Sequence, residues 1–151
     1  MKFRELKKSI FDILNSDKDL KSLLDFPKKK VAIRLISFLS YPNDYIKKRA
    51  ISALGIVVTK LADEDMEQAR IIMRQFMWNL NDESGGIGWG VPEAMAEIMI
   101  KQERLCKEYL HILKSYAKGG GNYLDYEPLE REVDYAIRKI NKFVEVFDEN
   151  Q

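Results

Sequence analysis

The chain has 151 residues, of which 46% are hydrophobic and 32% charged, and its formal net charge is +1. This composition is typical of one compact domain and excludes a disordered chain. Residues 1–60 hold a net charge of +8 and residues 61–151 a net charge of −7. That asymmetry could attract an anionic partner or support head-to-tail self-association, although two solvated faces of different charge are the simpler explanation.

The single cysteine, Cys106, excludes an internal disulfide and suits a reducing compartment. The first residues, MKFRELKKSIFDIL, mix charged and apolar side chains and so lack the apolar core of a secretion signal. No apolar run approaches the length of a membrane span. A cytoplasmic protein without membrane contact is therefore expected.

Apolar residues recur at helical spacing along the chain, and no segment alternates with a period of two, so an all-α fold is expected. Helices are predicted over about residues 3–14, 20–24, 27–39, 43–61, 64–79, 89–101, 104–116 and 127–147. Asn43 is expected to cap the fourth helix through its side chain, and Asp63 to lie at the positive end of the fifth. The glycines at 119–121 are expected to end the seventh.

Three of these helices share one pattern when they are aligned at intervals of about forty residues. The matched positions are Ile46, Ala50, Ala53, Leu54 and Val57; Ile87, Val91, Ala94, Met95 and Ile98; and Leu129, Val133, Ala136, Ile137 and Ile140. Alanine at the third position lets paired helices approach closely, and the larger fourth residue fills the layer between them. Each matched helix follows another amphipathic helix, so the repeating unit is a helical hairpin that must stack on its neighbours.

The segment NDYIKKRAISALG resembles the second-helix signature of HEAT repeats. The matching residues are the turn residue Asp44, the apolar–basic pair Ile46 and Lys47, the spaced Ala50 and Ala53, and Leu54 with Gly55. The resemblance covers about residues 28–148 and implies a short α-solenoid of HEAT-like hairpins forming a single domain, 1–151. Residues 1–26 would form an N-terminal capping pair, followed by repeats at 28–62, 63–103 and 104–148. The basic position departs from the signature in the later repeats, where it is Gly88 and Glu130.

Two further segments, NDESGGIGWGVPEAMAEIM and GGGNYLDYEPLE, resemble segments of small prokaryotic HEAT-like proteins of unassigned activity. Some sequences of this general class resemble bilin lyases, and others resemble DNA alkylation glycosylases. Neither activity has a motif in this chain that can be matched residue by residue.

The glycine-rich corner at residues 81–95 lies between two predicted helices. It does not match a dinucleotide fingerprint, because the third glycine position is Val91 and no strand precedes it. Gly85 and Gly86 suit a tight turn, and Pro92 suits the first turn of the next helix. Four glycines exceed what a turn needs, so close approach of a partner to the backbone is the alternative.

The repeat alignment places Trp89 among polar positions, and the second helices of a HEAT-like stack line its concave side. The residues predicted to bind a partner there are Lys48, Ser52, Asp82, Glu83, Gly85, Gly86, Trp89, Glu93, Arg131 and Tyr135. A tryptophan aligned with two cations is a plausible anchor for a peptide. The alternative is that Trp89 covers the corner glycines or packs on Trp78.

Catalytic signals are weak. His111 is interpreted as a flank residue and Cys106 as a core residue, and with one of each a Cys/His zinc site is excluded. Asp82, Glu83, Glu93 and Glu97 form an acidic group that could hold a divalent cation or perform acid–base chemistry. The macrodipole of the following helix favours the same acidic residues without any function.

Duplex DNA is a further possible ligand. The basic residues that could contact its backbone are Lys28, Lys29, Lys30, Lys47, Lys48 and Arg49. The acidic second half of the chain would repel DNA. The sequence therefore favours a non-enzymatic protein- or peptide-binding scaffold without a cofactor, with DNA binding and a lyase-like or acidic-cluster enzyme as alternatives.

Overall fold

In the computed structural model of the protein, residues 2–81 and 89–149 are described. These ranges contain seven α-helices, two short 3-10 helices and no strand. The α-helices are α1 (Phe3–Leu14), α2 (Lys28–Ser37), α3 (Asp44–Glu64), α4 (Met66–Asn81), α5 (Val91–Lys101), α6 (Glu103–Ser115) and α7 (Glu127–Glu149). The 3-10 helices are Leu20–Asp25 and Phe38–Ser40. The all-α prediction is confirmed, and none of the helices described could cross a lipid bilayer.

Side chains cap some of the helices, among them α3 and α6. The Asn43 side chain accepts a hydrogen bond from the Ile46 N–H over 3.1 Å, which confirms the predicted cap of α3. The predicted helix end at glycines 119–121 is wrong, because α6 already ends at Ser115, although Gly119 adopts a φ of +89° in the turn that follows. The prediction for Asp63 is wrong, because α3 continues through Glu64 and the residue before α4 is Asp65.

The core is centred on α3 and α5, which pack extensively on each other. The central helix α3 contacts α2, α4 and α5, while α5 contacts α3, α6 and α7. The three aligned alanines, Ala53, Ala94 and Ala136, are completely buried. These positions therefore serve the close helix packing that the alignment predicted.

One glycine sets how closely α3 and α5 approach. A Cβ atom added at Gly55 would lie 3.1 Å from the Cβ of Glu97 on α5. Real Cβ atoms seldom come that close to a neighbouring heavy atom. The two helices therefore touch at Gly55 with no room for a larger side chain.

Candidate functional site

Trp89 lies in the turn that leads into α5, and its side chain is partly buried. Its ring meets the ring of Tyr126 edge to face, with the centroids 5.8 Å apart and the planes at 78°. The Lys47 Nζ lies 5.6 Å from the centroid of the indole. Trp78 is 78% exposed, so the interpretation that Trp89 packs on Trp78 is wrong. The indole is instead held between an aromatic ring and a cation, two arrangements that its π system favours.

Gly90 makes the turn into α5 possible. Its φ is +77°, a conformation that residues with a Cβ atom rarely adopt. A Cβ at this position would also lie 3.2 Å from the Lys47 Cε and 3.4 Å from the Leu39 Cβ. Pro92 follows in the first turn of α5, as predicted. The last glycine of the corner is thus required by the backbone of the turn itself.

Glu132, on α7, ties the third aligned helix to this turn. Its Oε2 accepts a hydrogen bond from the Gly90 N–H over 3.2 Å. Its Oε1 is buried and has no hydrogen-bond partner among the described residues. Burial raises the pKa of this carboxyl, while the Gly90 N–H and the charge of Lys47 act in the opposite direction. A carboxylate at the start of α5 is favourably placed for the helix dipole.

Arg49 occupies the position of the repeat alignment that corresponds to Gly90 and Glu132. Its guanidinium donates to the carbonyl oxygens of Ile13 over 2.9 Å and Lys18 over 2.7 Å, around the end of α1. A cation at the end of one helix and an anion at the start of another both complement the helix dipole. At this aligned position, a cation on α3 therefore binds the end of α1, and an anion on α7 binds the turn before α5. Sequence reasoning missed Glu132 and assigned Arg49 to DNA, although both directly precede an inner small apolar position.

The other predicted binding residues that the structure describes lie on α3, α5 and α7. Lys48 and Ser52 on α3, and Arg131 and Tyr135 on α7, are exposed, while Glu93 on α5 is partly buried. Arg131 forms an ion pair with Glu127, one turn earlier on its own helix. Asp82, Glu83, Gly85 and Gly86 lie outside the described residues.

The acidic group predicted to hold a cation or to perform acid–base chemistry is partly engaged in ion pairs. Glu97 pairs with Lys139 of α7, and its other oxygen lies 3.5 Å from the Nζ of Lys101. Within residues 2–81 and 89–149, no group of three or more His, Cys, Asp or Glu is placed to hold a metal ion. Cys106 is buried, which raises the pKa of its thiol, and His111 is exposed. Both side chains therefore lie where a core residue and a flank residue are expected.

The predicted DNA contacts are also partly engaged elsewhere. The Lys28 Nζ lies 2.8 Å from a carboxylate oxygen of Glu64, and Arg49 binds the carbonyls at the end of α1. Lys47 lies over the indole of Trp89. Half of the six basic residues are thus directed at groups of the protein itself.

Comparisons with protein-family models, with curated proteins and with solved structures found no match to this chain. The surroundings of Trp89 offer an aromatic edge, a nearby cation, and exposed polar side chains on the two flanking helices. Such groups bind a partner by contact and charge, which requires no reactive centre.

Proposed function

We propose that this protein is a short stack of HEAT-like hairpins that binds a protein or peptide on the face formed by α3, α5 and α7. We call this the Trp89 face and define it by Lys48, Ser52, Trp89, Glu93, Arg131 and Tyr135. The order of packing supports the stack, because α3 contacts α5 and α5 contacts α7. These are the three helices whose buried alanines align at intervals of about forty residues.

Polar contacts one repeat apart also support the stack. Hydrogen bonds join Gly90 to Glu132 and Lys139 to Glu97, each pair being 42 residues apart. Arg70 bonds to Glu108 at a separation of 38 residues, and Gln102 to Asp63 at 39. A stack of repeats predicts this spacing, because equivalent surfaces of neighbouring units face each other.

The binding role rests chiefly on the environment of Trp89. The indole keeps exposed surface although Tyr126 and Lys47 already hold its orientation. An aromatic side chain that is ordered before binding loses little conformational entropy when a partner covers it. Tryptophans in such positions often dominate the free energy of binding.

The experiment compares Trp89→Ala with Trp78→Ala, since Trp78 is a second tryptophan that is exposed on α4. Each chain is immobilised and exposed to extract from the native cell, and bound proteins are quantified by mass spectrometry. We expect a specific partner to be retained by the wild type and by Trp78→Ala. Retention by Trp89→Ala should fall by about ten-fold or more, as for loss of a binding hot spot.

Urea unfolding separates loss of binding from loss of folding. Trp89→Ala should unfold cooperatively, at a urea midpoint close to that of the wild type. If the midpoint collapses, Trp89 is a core residue and the proposed face is wrong. Equal retention of the partner by both tryptophan variants would also exclude this face as the binding site.

A further inference from the structure

A second surface lies at the other end of the element order, between α1 and the 3-10 helix Phe38–Ser40. It is a groove of about 380 Å³ with an aromatic floor, formed by Phe11, Phe38 and Tyr41. Arg4, Lys7 and Lys8 of α1 form its rim. We call it the N-terminal groove. Its combination of an aromatic floor and a basic rim selects for partners that are both acidic and apolar.

The floor of the groove favours an inserted side chain over a stacked nucleobase. The three rings pack on one another at tilted angles, with centroids 5.9 to 6.3 Å apart. Phe3, at the mouth of the groove, is 59% exposed, but the Arg34 guanidinium lies 3.3 Å from its ring centroid. Base stacking needs an open, flat ring face, and three rings tilted against one another offer no common plane to a base. A peptide side chain can instead meet the ring edges.

The rim of the groove carries uncompensated positive charge. Arg4, Lys7 and Lys8 are exposed, and no carboxylate of the described residues forms an ion pair with them. Eight other cations of the described residues do have such partners, among them Arg70 and Lys139. Positive charge left unpaired around an apolar depression attracts an acidic segment and steers its approach.

The chain itself carries a segment of the required chemistry, Leu124-Asp125-Tyr126-Glu127, between α6 and α7. Tyr126 is 51% exposed, and Asp125 and Glu127 on either side of it are also exposed. This acidic segment precedes α7, which packs mainly on α5, whereas α1 packs mainly on α2 and the first 3-10 helix. The groove and the acidic segment therefore belong to different groups of packed helices.

We propose that the N-terminal groove of one copy binds the acidic segment Leu124–Glu127 of a second copy, so that copies associate head to tail. The exposed ring of Tyr126 enters the groove and Asp125 meets the basic rim, while Glu127 exchanges its ion pair with Arg131 for one with the rim. Because the two surfaces differ, each added copy leaves one groove and one segment unoccupied, and the assembly extends beyond a dimer. The proposal does not depend on partner binding at the Trp89 face, although Tyr126 borders both surfaces.

The test is charge reversal with complementation, followed by sedimentation velocity at low and high salt. The mean mass of the wild type should rise with concentration at low salt and fall again when salt is added. Lys7→Glu/Lys8→Glu and Asp125→Lys/Glu127→Lys should each remain monomeric. An equimolar mixture of the two variants should associate again, because each reversed surface then meets its complement. The matched control is Lys29→Glu/Lys30→Glu, which changes net charge equally on exposed lysines of α2 and should associate like the wild type.

Three outcomes would overturn the proposal. The first is a wild type that is monomeric at every concentration in low salt. The second is a mixture of the reversal variants that does not associate, or a control variant that loses association as well. The third is a monomeric wild type that binds a labelled single-stranded oligonucleotide and loses this binding in Lys7→Glu/Lys8→Glu, which would make the groove a nucleic-acid site. Circular dichroism verifies that every variant is folded.

Discussion

The contact between α3 and α5 and the contact between α4 and α6 are made by different physical means. At the first contact, Gly55 on α3 lies so close to Glu97 on α5 that an added Cβ would be crowded at 3.1 Å. At the second, the Arg70 guanidinium donates three hydrogen bonds of 2.7 to 3.2 Å to the Glu108 carboxylate. Close apolar packing supplies most of the free energy of folding, whereas an ion pair near the surface supplies orientation and little stability. The two contacts should therefore respond very differently to substitution.

The largest expected effect is at the first contact. Gly55→Leu would force α3 and α5 apart and should lower the free energy of unfolding by about 1–3 kcal/mol, as overpacking of a core does. Gly55→Ala should cost much less, because the helix propensity of alanine, about 1 kcal/mol better than that of glycine, offsets part of the crowding. Urea unfolding followed by circular dichroism measures both. Lys60→Leu, at an exposed position of the same helix, is the control and should leave the urea midpoint nearly unchanged. An unchanged midpoint for Gly55→Leu would show that the helices are not in close contact.

An intermediate effect is expected at the contact of Glu132 with Gly90, where a carboxylate is buried between α7 and the turn before α5. Because the pKa of Glu132 is raised in the folded chain, its contribution to stability is greatest at low pH and is lost as the pH rises through that value. Glu132→Gln can keep an acceptor for the Gly90 N–H without burying a charge. The difference in melting temperature, variant minus wild type, should therefore increase between about pH 4, near the ordinary glutamate pKa, and about pH 8, well above it. Parallel melting curves across that range would contradict the buried-charge assignment.

The smallest effect is expected at the second contact. Arg70 lowers the pKa of Glu108, so the pair stabilises the fold above the ordinary glutamate pKa and loses this contribution as the pH falls. Glu108→Gln should lower the melting temperature slightly at neutral pH and not at all in acid. High salt should weaken the difference, because the pair is partly exposed. A large loss of stability at neutral pH would show that this ion pair contributes as much free energy as the contact at Gly55. The proposed difference between the two contacts would then be wrong.

The sequence predicts the features that depend on local spacing. Ala53, Ala94 and Ala136 recur at a fixed position because close packing of helices requires small residues there, and all three are buried. Asn43 and Pro92 act within one helical turn, so their places at the helix starts could be read directly.

Contacts between residues far apart in the sequence could not be predicted in the same way. Glu132 belongs to a helix rich in Glu and Arg, and no local pattern shows that its carboxylate reaches Gly90, 42 residues earlier. Arg49 lies in a run of basic residues that is typical of an anion-binding surface, yet it binds carbonyls at the end of α1. In both cases the partner is a backbone group, and a sequence carries no side-chain signal for a backbone partner. The aligned column of Arg49, Gly90 and Glu132 was visible, but its significance depends on three-dimensional contacts.

Cys106 gives the protein a natural reporter of its own motions. It is the only cysteine in the sequence, and α6 holds it in the core, where only 6% of its surface is exposed and the fold slows its reaction with a thiol-alkylating reagent. Rapid reaction under native conditions therefore requires α6 to separate from its neighbours, at least briefly. The rate of labelling would report how often α6 separates from the helices around it, without any introduced probe.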